Sequence, residues 1–228
     1  MKTIGIIGGL SWLSTATYYQ KINQLVNQQL GDVHAAKILL YSVDFYDFKT
    51  LADKNDWDKI EILITDIALK LQNAGANCIL IATNSVHLIA DKVKQKINIP
   101  LLHIAEETAK EVVKEKIKKV GLIGTKFVME NDFFKDRLKN FGIESVVPDT
   151  LDRDFIHKTI FSELTIGIFK EETKQQFLKI IDALKNNGAT GVIFGCTEFA
   201  LLLKPEDCSI KVFDTTEIHC KAVVEFAL

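Results

Sequence analysis

No apolar run in this chain approaches the roughly 20 residues that a helix needs to span a bilayer. No charge of one sign dominates either: 28 Lys and Arg stand against 30 Asp and Glu, a formal net charge of −2. A dedicated membrane or nucleic-acid surface is therefore not expected. Cysteine is sparse, and the four, at 78, 196, 208 and 220, contain no C-x-x-C pair. No His/Cys/Asp cluster has metal-ligand spacing, so the cysteines read as free thiols rather than a metal site or a disulfide framework. Arginine is nearly missing, with Arg137 and Arg153 alone. There is no Gly/Ser/Pro-rich linker and no low-complexity run, so a boundary between domains would be inconspicuous, somewhere near residues 100–117. Met1-Lys2 before Thr3-Ile4-Gly5-Ile6-Ile7 has the look of a secretory leader. Gly8-Gly9 and Ser11-Trp12 break that run early, and the same pattern recurs inside the chain. The segment is expected to be a first strand and the protein cytoplasmic.

What is present is a chain of 228 residues, 47% apolar and 25% charged, enough for one large or two small globular domains. It repeats itself. Leu71-Gln72-Asn73-Ala74-Gly75-Ala76-Asn77-Cys78-Ile79-Leu80-Ile81-Ala82-Thr83-Asn84-Ser85 returns 113 residues later as Leu184-Lys185-Asn186-Asn187-Gly188-Ala189-Thr190-Gly191-Val192-Ile193-Phe194-Gly195-Cys196-Thr197-Glu198. Each copy reads as a helix end, a Gly stop, a buried strand and a polar triplet that opens the next helix. Lys2-Thr3-Ile4-Gly5-Ile6-Ile7-Gly8-Gly9 pairs in the same way with Lys118-Lys119-Val120-Gly121-Leu122-Ile123-Gly124-Thr125.

Short apolar strands are expected at residues 3–8, 37–44, 78–82, 100–104, 119–124, 191–195 and 210–213. Helices are expected at 12–30, 56–74, 85–97, 105–117, 128–140, 171–187 and 215–227. Strands of Ile, Leu and Val without alternation belong to sheets covered on both faces, which points to parallel α/β units. Sites in such sheets form at the carboxyl ends of the strands. Those ends carry Gly8-Gly9-Leu10-Ser11, Thr83-Asn84-Ser85, Gly124-Thr125 and Cys196-Thr197-Glu198.

Cys196 is the strongest chemical candidate. A thiol at a helix N-terminus has its pKa lowered from about 8.5 and becomes a base or nucleophile at neutral pH. A buried core cysteine is the bland alternative and about as common. Gly195, Thr197 and Glu198 favour the functional reading, because they place room and polar groups where a core needs neither. Thr83, Asn84 and Ser85 are good helix caps, and a cap whose N–H groups face a ligand also binds carboxylates. His87, four residues beyond Thr83, could face the same ligand or be a satisfied polar residue. Gly8-Gly9-Leu10-Ser11 is neither a dinucleotide fingerprint nor a phosphate loop. It suits a tight turn that exposes N–H groups, or an ordinary βα connection. Arg153 and Lys158 could bind a second carboxylate, although a solvated helix face explains them equally well.

Together, Ile4-Gly5-Ile6-Ile7-Gly8-Gly9-Leu10-Ser11-Trp12, Thr83-Asn84-Ser85-Val86-His87, Leu122-Ile123-Gly124-Thr125 and Gly195-Cys196-Thr197-Glu198 resemble the aspartate/glutamate racemase family over nearly the whole chain. The resemblance implies two pseudo-symmetric α/β domains, each a mainly parallel sheet flanked by helices, with the active site in the cleft between them. It divides this chain into 1–103, with helix 215–228 packing back on it, and 104–214. It also implies a homodimer, an amino-acid substrate and no cofactor. Thr83 and Cys196 take the catalytic positions, and Leu10, Ser11, Asn84, Ser85, Thr125, Thr197 and Glu198 surround the substrate.

One departure matters. The family places Cys-Asn-Thr where this chain has Thr83-Asn84-Ser85. Two-base racemisation removes the Cα proton on one face and delivers a proton on the other. A Thr hydroxyl donates or relays a proton but is a poor base near neutral pH. The two faces should then be unequal, and the resemblance implies that Cys196 serves the L-enantiomer, so that the L-substrate is processed faster. Two other readings fit the loss of the first thiol. One is an arylmalonate-type decarboxylase, which needs a single thiol to protonate a carbanion. The other is a dicarboxylate-binding protein without turnover. Of the three readings, the racemase accounts best for the polar surround. It predicts turnover by dialysed, chelator-treated protein with neither pyridoxal phosphate nor metal added; a requirement for either, in an assay of L-aspartate or L-glutamate, rejects the cofactor-independent mechanism.

Overall fold

The computed structural model describes all 228 residues. The chain divides into two compact units, Met1–His103 with His219–Leu228, and Ile104–Ile218. The first unit contains β1 (Ile4–Gly8), α1 (Trp12–Leu30), β2 (Ile38–Ser42), α2 (Phe45–Asp53), α3 (Trp57–Asn73), β3 (Cys78–Ile81) and α4 (Ala90–Lys94). The second contains α5 (Ile104–Lys114), β4 (Lys119–Gly124), α6 (Lys126–Glu130), α7 (Asp132–Asn140), β5 (Glu144–Val146), α8 (Thr150–Ser162), α9 (Glu171–Asn186), β6 (Gly191–Gly195), α10 (Phe199–Leu202) and β7 (Lys211–Asp214). The last helix, α11 (Thr215–Ala227), begins in the second unit and continues into the first.

Each unit is an α/β layer structure around a parallel sheet. The first has strand order β2-β1-β3 and the second β5-β4-β6-β7. All pairings are parallel, with Gly5 opposite Ile79 in one sheet and Gly121 opposite Val192 in the other. The strands named by the repeat are thus neighbours within their own sheets: β1 is central with β3 beside it at the edge of the first, and β4 and β6 are the central pair of the second. They are buried along almost their whole length, as expected where helices cover both faces.

The alternation of the strands divides each core in two. In the first unit Ile7, Ile79 and Ile81 pack with Ile60, Ile64, Ile67 and Leu71 of α3. On the opposite face Ile4, Ile6, Cys78, Leu80 and Ala82 meet Tyr18, Ile22 and Val26 of α1 and Cys220, Val223 and Val224 of α11. The spacing of those helical residues is the apolar stripe of period 3.6, and each fully buried Ile or Leu contributes about 1.5–3 kcal/mol. Asp56 starts α3 by accepting from Lys59 N, an N-cap bond of about 1 kcal/mol. In the second unit Ile123, Val192 and Phe194 pack with Phe177, Ile181 and Leu184 of α9. Val120, Leu122, Ile193 and Phe213 face Val112 of α5 and Leu138 of α7.

Several expected elements change form. Residues 100–104 do not make a strand: only Leu101 bridges Ile79, through Ile79 N to Pro100 O and Leu102 N to Ile79 O. The next helix already begins at Ile104, so the chain has one residue pair in which to lie beside β3. The expected helix 85–97 is a 3₁₀ segment, Ser85–Ile89, followed by α4. The expected helix 128–140 is broken at Asn131, whose extended backbone separates α6 from α7. Sequence periodicity missed α2, β5, α8 and α10. The first three are short or lack a clear stripe, and α10 is a single turn.

The turn after β1 needs a glycine. Gly9 sits at φ +80°, and a Cβ there would run into the backbone N and O of Val43. Gly31, which ends α1 at φ +74°, has nothing near its Cβ position. Gly9→Ala should therefore cost well above the roughly 1 kcal/mol of a positive-φ alanine, and Gly31→Ala should cost about that much. Urea denaturation of the two variants checks the order; equal losses would mean that the Val43 contact relaxes freely.

Candidate active site

The candidate residues lie where four parallel strands end. After β1, Leu10 turns its side chain into the core and is 5% exposed, so only its backbone is available to a ligand. Ser11 is the N-cap of α1 and accepts from Ser14 N at 3.3 Å. Thr15 accepts from Gly9 N at 2.8 Å and donates to Ser11 O at 2.9 Å, which ties the glycine turn to the helix. Ser14 Oγ donates to Ala82 O at 3.1 Å and links this turn to the end of the neighbouring strand β3.

At that end Thr83 and Ser85 are half-buried and Asn84 is buried. The triplet leads into the 3₁₀ turn, and Asn84, at its N-cap, makes no side-chain capping bond. Plain capping thus does not account for Asn84. Thr83 N donates to Ile81 O at 2.9 Å. His87 does not point outward. It is 2% exposed, and its Nδ1 lies 2.8 Å from Thr83 O.

In the second unit, Gly124 is in register with Gly195, so the residues after β4 and β6 are neighbours at one sheet edge. Thr125 caps α6 by accepting from Val128 N at 3.3 Å. His157 Nδ1 accepts from Lys126 N at 3.3 Å, and Lys126 pairs with Asp154. Burial, followed by the Lys126 charge, pushes the His157 pKa down, which suits the neutral ring that this acceptor role requires. Arg153 is occupied by Glu130 Oε1 at 3.1 Å and Pro148 O at 2.7 Å, so it fastens α8 instead of presenting a vacant guanidinium. Lys158 is exposed.

Cys196 departs from expectation in one respect. Its Sγ donates to Glu198 Oε2 at 3.0 Å. Burial, and then the Glu198 carboxylate, hold the thiol well above the ordinary cysteine range. The N–H groups of Thr197 and Glu198 pull the other way with smaller effect. The expected lowering by a helix N-terminus fails because the following helix, α10, starts only at Phe199 and has four residues. Four residues align too few peptide dipoles to offset desolvation. Glu198 itself is 6% exposed, so the thiol–carboxylate hydrogen bond is largely shielded from water. Cys78 and Cys220 are buried in the core, and Cys208, half-buried, has its pKa pushed up to about 11, chiefly by burial.

With this geometry, the comparisons with known proteins are direct. A family model described as Asp/Glu/Hydantoin racemase matches residues 7–223. The chain belongs to the Asp/Glu/Hydantoin racemase family. It is an isomerase of the racemase class. Among solved structures, a Yersinia pestis protein with the provisional name Asp/Glu racemase is 44% identical, with a TM-score of 0.95 over 100% of this chain and 99% of that one. An aspartate racemase homologue from Pyrococcus horikoshii OT3 is 35% identical, with a TM-score of 0.90 over 100% and 99%. The broad specificity amino-acid racemase RacX of Bacillus subtilis (strain 168) is 24% identical over 97% of this chain and 96% of its own length. No helix of this racemase is long and apolar enough to cross a membrane.

The Sγ–Oε2 pair yields a prediction with two readouts. Glu198→Gln removes a negative charge beside the thiol, so the Cys196 pKa should fall and its alkylation by iodoacetamide at pH 8 should quicken. Racemase turnover should drop at the same time, because the carboxylate that Sγ contacts is gone. The comparison is made in a Cys208→Ser background, with rates followed by mass spectrometry. Slower alkylation would show that Glu198 does not oppose thiolate formation.

Proposed function

We propose that this racemase inverts an acidic amino acid, aspartate or glutamate, without a cofactor and with the L-enantiomer preferred. The observation that carries the reading is the thiol–carboxylate pair of Cys196 and Glu198 at the end of β6. Glu198 takes the Cys196 proton, leaving a thiolate and a carboxylic acid. The thiolate then removes the Cα proton of the L-substrate, and the Cα electron pair is held by the substrate carboxylate as an enediolate. Thr83 delivers a proton to the other face, from its own hydroxyl or by relay from water. The D-product forms with Cys196 again a thiol; Glu198 then releases the proton it took to solvent, and Thr83, or the water relaying through it, regains one from solvent.

The assignment of roles follows from acid strength. A cysteine thiol ionises near 8.5 and, even when raised, is far more acidic than an aliphatic hydroxyl. Thr83 therefore serves as donor and not as base. Hydroxyl and N–H donors of Ser11, Asn84, Ser85, Thr125 and Thr197, and the N–H groups around Leu10, are suited to carboxylates. The names carried by similar proteins, an Asp/Glu racemase and an aspartate racemase homologue, favour an acidic substrate over a neutral one. The same reading takes the enzyme as a cytoplasmic homodimer.

Cys196→Ala should lower Cα exchange of L-aspartate or L-glutamate in heavy water by at least about 10²-fold, the usual contribution of a positioned base. Thr83→Cys should raise proton removal from the D-enantiomer relative to the L-enantiomer, because it supplies a thiol on the second face. Thr83→Ala should slow inversion while sparing part of the exchange. Unaltered inversion from both enantiomers in Thr83→Ala would make Thr83 a backbone feature only. Carbon dioxide release from an arylmalonate without any Cα exchange of amino acids would replace the racemase by a decarboxylase.

A further inference from the structure

The first unit holds a buried imidazole cluster that the chemistry above does not use. His87, His103 and His219 are 2%, 4% and 0% exposed. Their rings meet edge to face, with centroids 4.9 Å apart for His87 and His103 and 5.5 Å for His87 and His219. Buried imidazoles are costly unless hydrogen-bonded, and the bonds here dictate the tautomers. A carbonyl only accepts, so the 2.8 Å contact of His87 Nδ1 with Thr83 O places the proton on Nδ1. His219 Nε2 lies 3.0 Å from Leu102 O and must carry its proton there. His219 Nδ1 then accepts from the Tyr18 hydroxyl at 3.1 Å. Burial, and then His87, push His219 down to about 3, in keeping with a neutral ring.

The cluster ends on Thr83. Thr83 N–H donates to Ile81 O and Thr83 C=O accepts from His87, so both backbone groups of this residue are held. His87 N–H in turn donates to Asn84 O at 3.1 Å, closing the turn. Fixing the backbone on both sides sets the direction of the Cα–Cβ bond and leaves Oγ1 one rotation from a defined position. We propose that His87 is a positioning residue for proton delivery: through the Thr83 carbonyl, it aims the Thr83 hydroxyl at the substrate Cα. This rests on the role given to Thr83 above.

The role has a kinetic signature. A carbanion formed from the L-substrate is reprotonated either from the Thr83 face, giving the D-enantiomer, or from Cys196, giving back the L-enantiomer. The Cys196 proton trades with solvent through Glu198, so return on the same face appears in heavy water as labelled L-substrate. Misplacing Thr83 slows inversion without slowing proton removal, and the ratio of exchange to inversion rises. A residue that merely supports the fold lowers both rates together.

The test compares His87→Leu with His87→Asn. Both remove the ring beside His103 and His219, and Asn leaves the larger space of the two, so a rise caused by lost packing would be greater in His87→Asn. Only Asn restores an amide N–H where Nδ1–H stood. With L-aspartate and L-glutamate as probes, the exchange-to-inversion ratio should rise about fivefold in His87→Leu, the equivalent of one lost hydrogen bond, and stay near the parent value in His87→Asn. An unchanged ratio in His87→Leu, or an equal rise in both variants, overturns the proposal. Thr83→Ala, measured alongside, separates the two assignments. If its ratio is unchanged, the Thr83 role fails and the His87 role with it; if its ratio rises while that of His87→Leu does not, only the His87 role fails. Nitrogen-15 NMR of the parent enzyme must show His87 as the Nδ1–H tautomer. The Nε2–H form would overturn the proposal whether or not the variants fold.

Discussion

Parallel hydrogen bonding between neighbouring strands forces their carboxyl ends to the same edge of a sheet. In the first unit this brings the glycine turn after β1 beside the Thr83 segment after β3, where Ser14 links the two through Ala82 O. In the second it brings Thr125 beside Cys196, because Gly124 and Gly195 are in register. The same two-strand arrangement serves both halves of the repeat. Close packing keeps it in place: a Cβ on Gly5 or Gly121 would press on Ala76 or Leu184. A slip of one residue would exchange the two faces of a strand and move the residues of β1 or β6 from one helix layer to the other, away from the side chains they fit.

That edge does not supply the electrostatic activation expected of a long helix N-terminus. The segment after β6 offers two N–H groups and a short turn, and these yield to burial and to the Glu198 carboxylate. A resting thiol beside a carboxylate acceptor is a different design from a standing thiolate. It keeps Cys196 protonated until a proton can be moved, and it couples the reactivity of the thiol to one neighbouring charge. Cys78 and Cys220 show the contrasting case, sulfur used as a small core residue.

The first unit answers with fixed hydrogen bonds instead of charge. In the mechanism we propose, the Thr83 hydroxyl is not made reactive by a lowered pKa, so its placement matters more than its acidity. His87 and His219 beneath it are buried and oriented by carbonyls and a tyrosine hydroxyl. A network of this kind is rigid because each lost bond leaves a buried polar atom unsatisfied.

The sequence by itself determined the α/β class, the parallel sheets and the placement of Thr83 and Cys196 after equivalent strands. Those properties depend on local periodicity and on a repeat visible along the chain. It failed where the outcome depended on competition between neighbours: residues 100–104 had strand-like composition, but the onset of α5 at Ile104 left them a single bridge. It also placed His87 near Thr83 without settling which way the ring turned. Only the tertiary structure decided that His87 binds the Thr83 carbonyl, that Arg153 is consumed by Glu130 and Pro148, and that the Cys196 thiol is raised and not lowered. The physical reason is common to all three. Protonation and hydrogen-bond partnership depend on burial and on the direction each side chain takes once packed, even where the partner is as near as Thr83 to His87, Pro148 to Arg153 or Glu198 to Cys196, and periodicity carries no record of either.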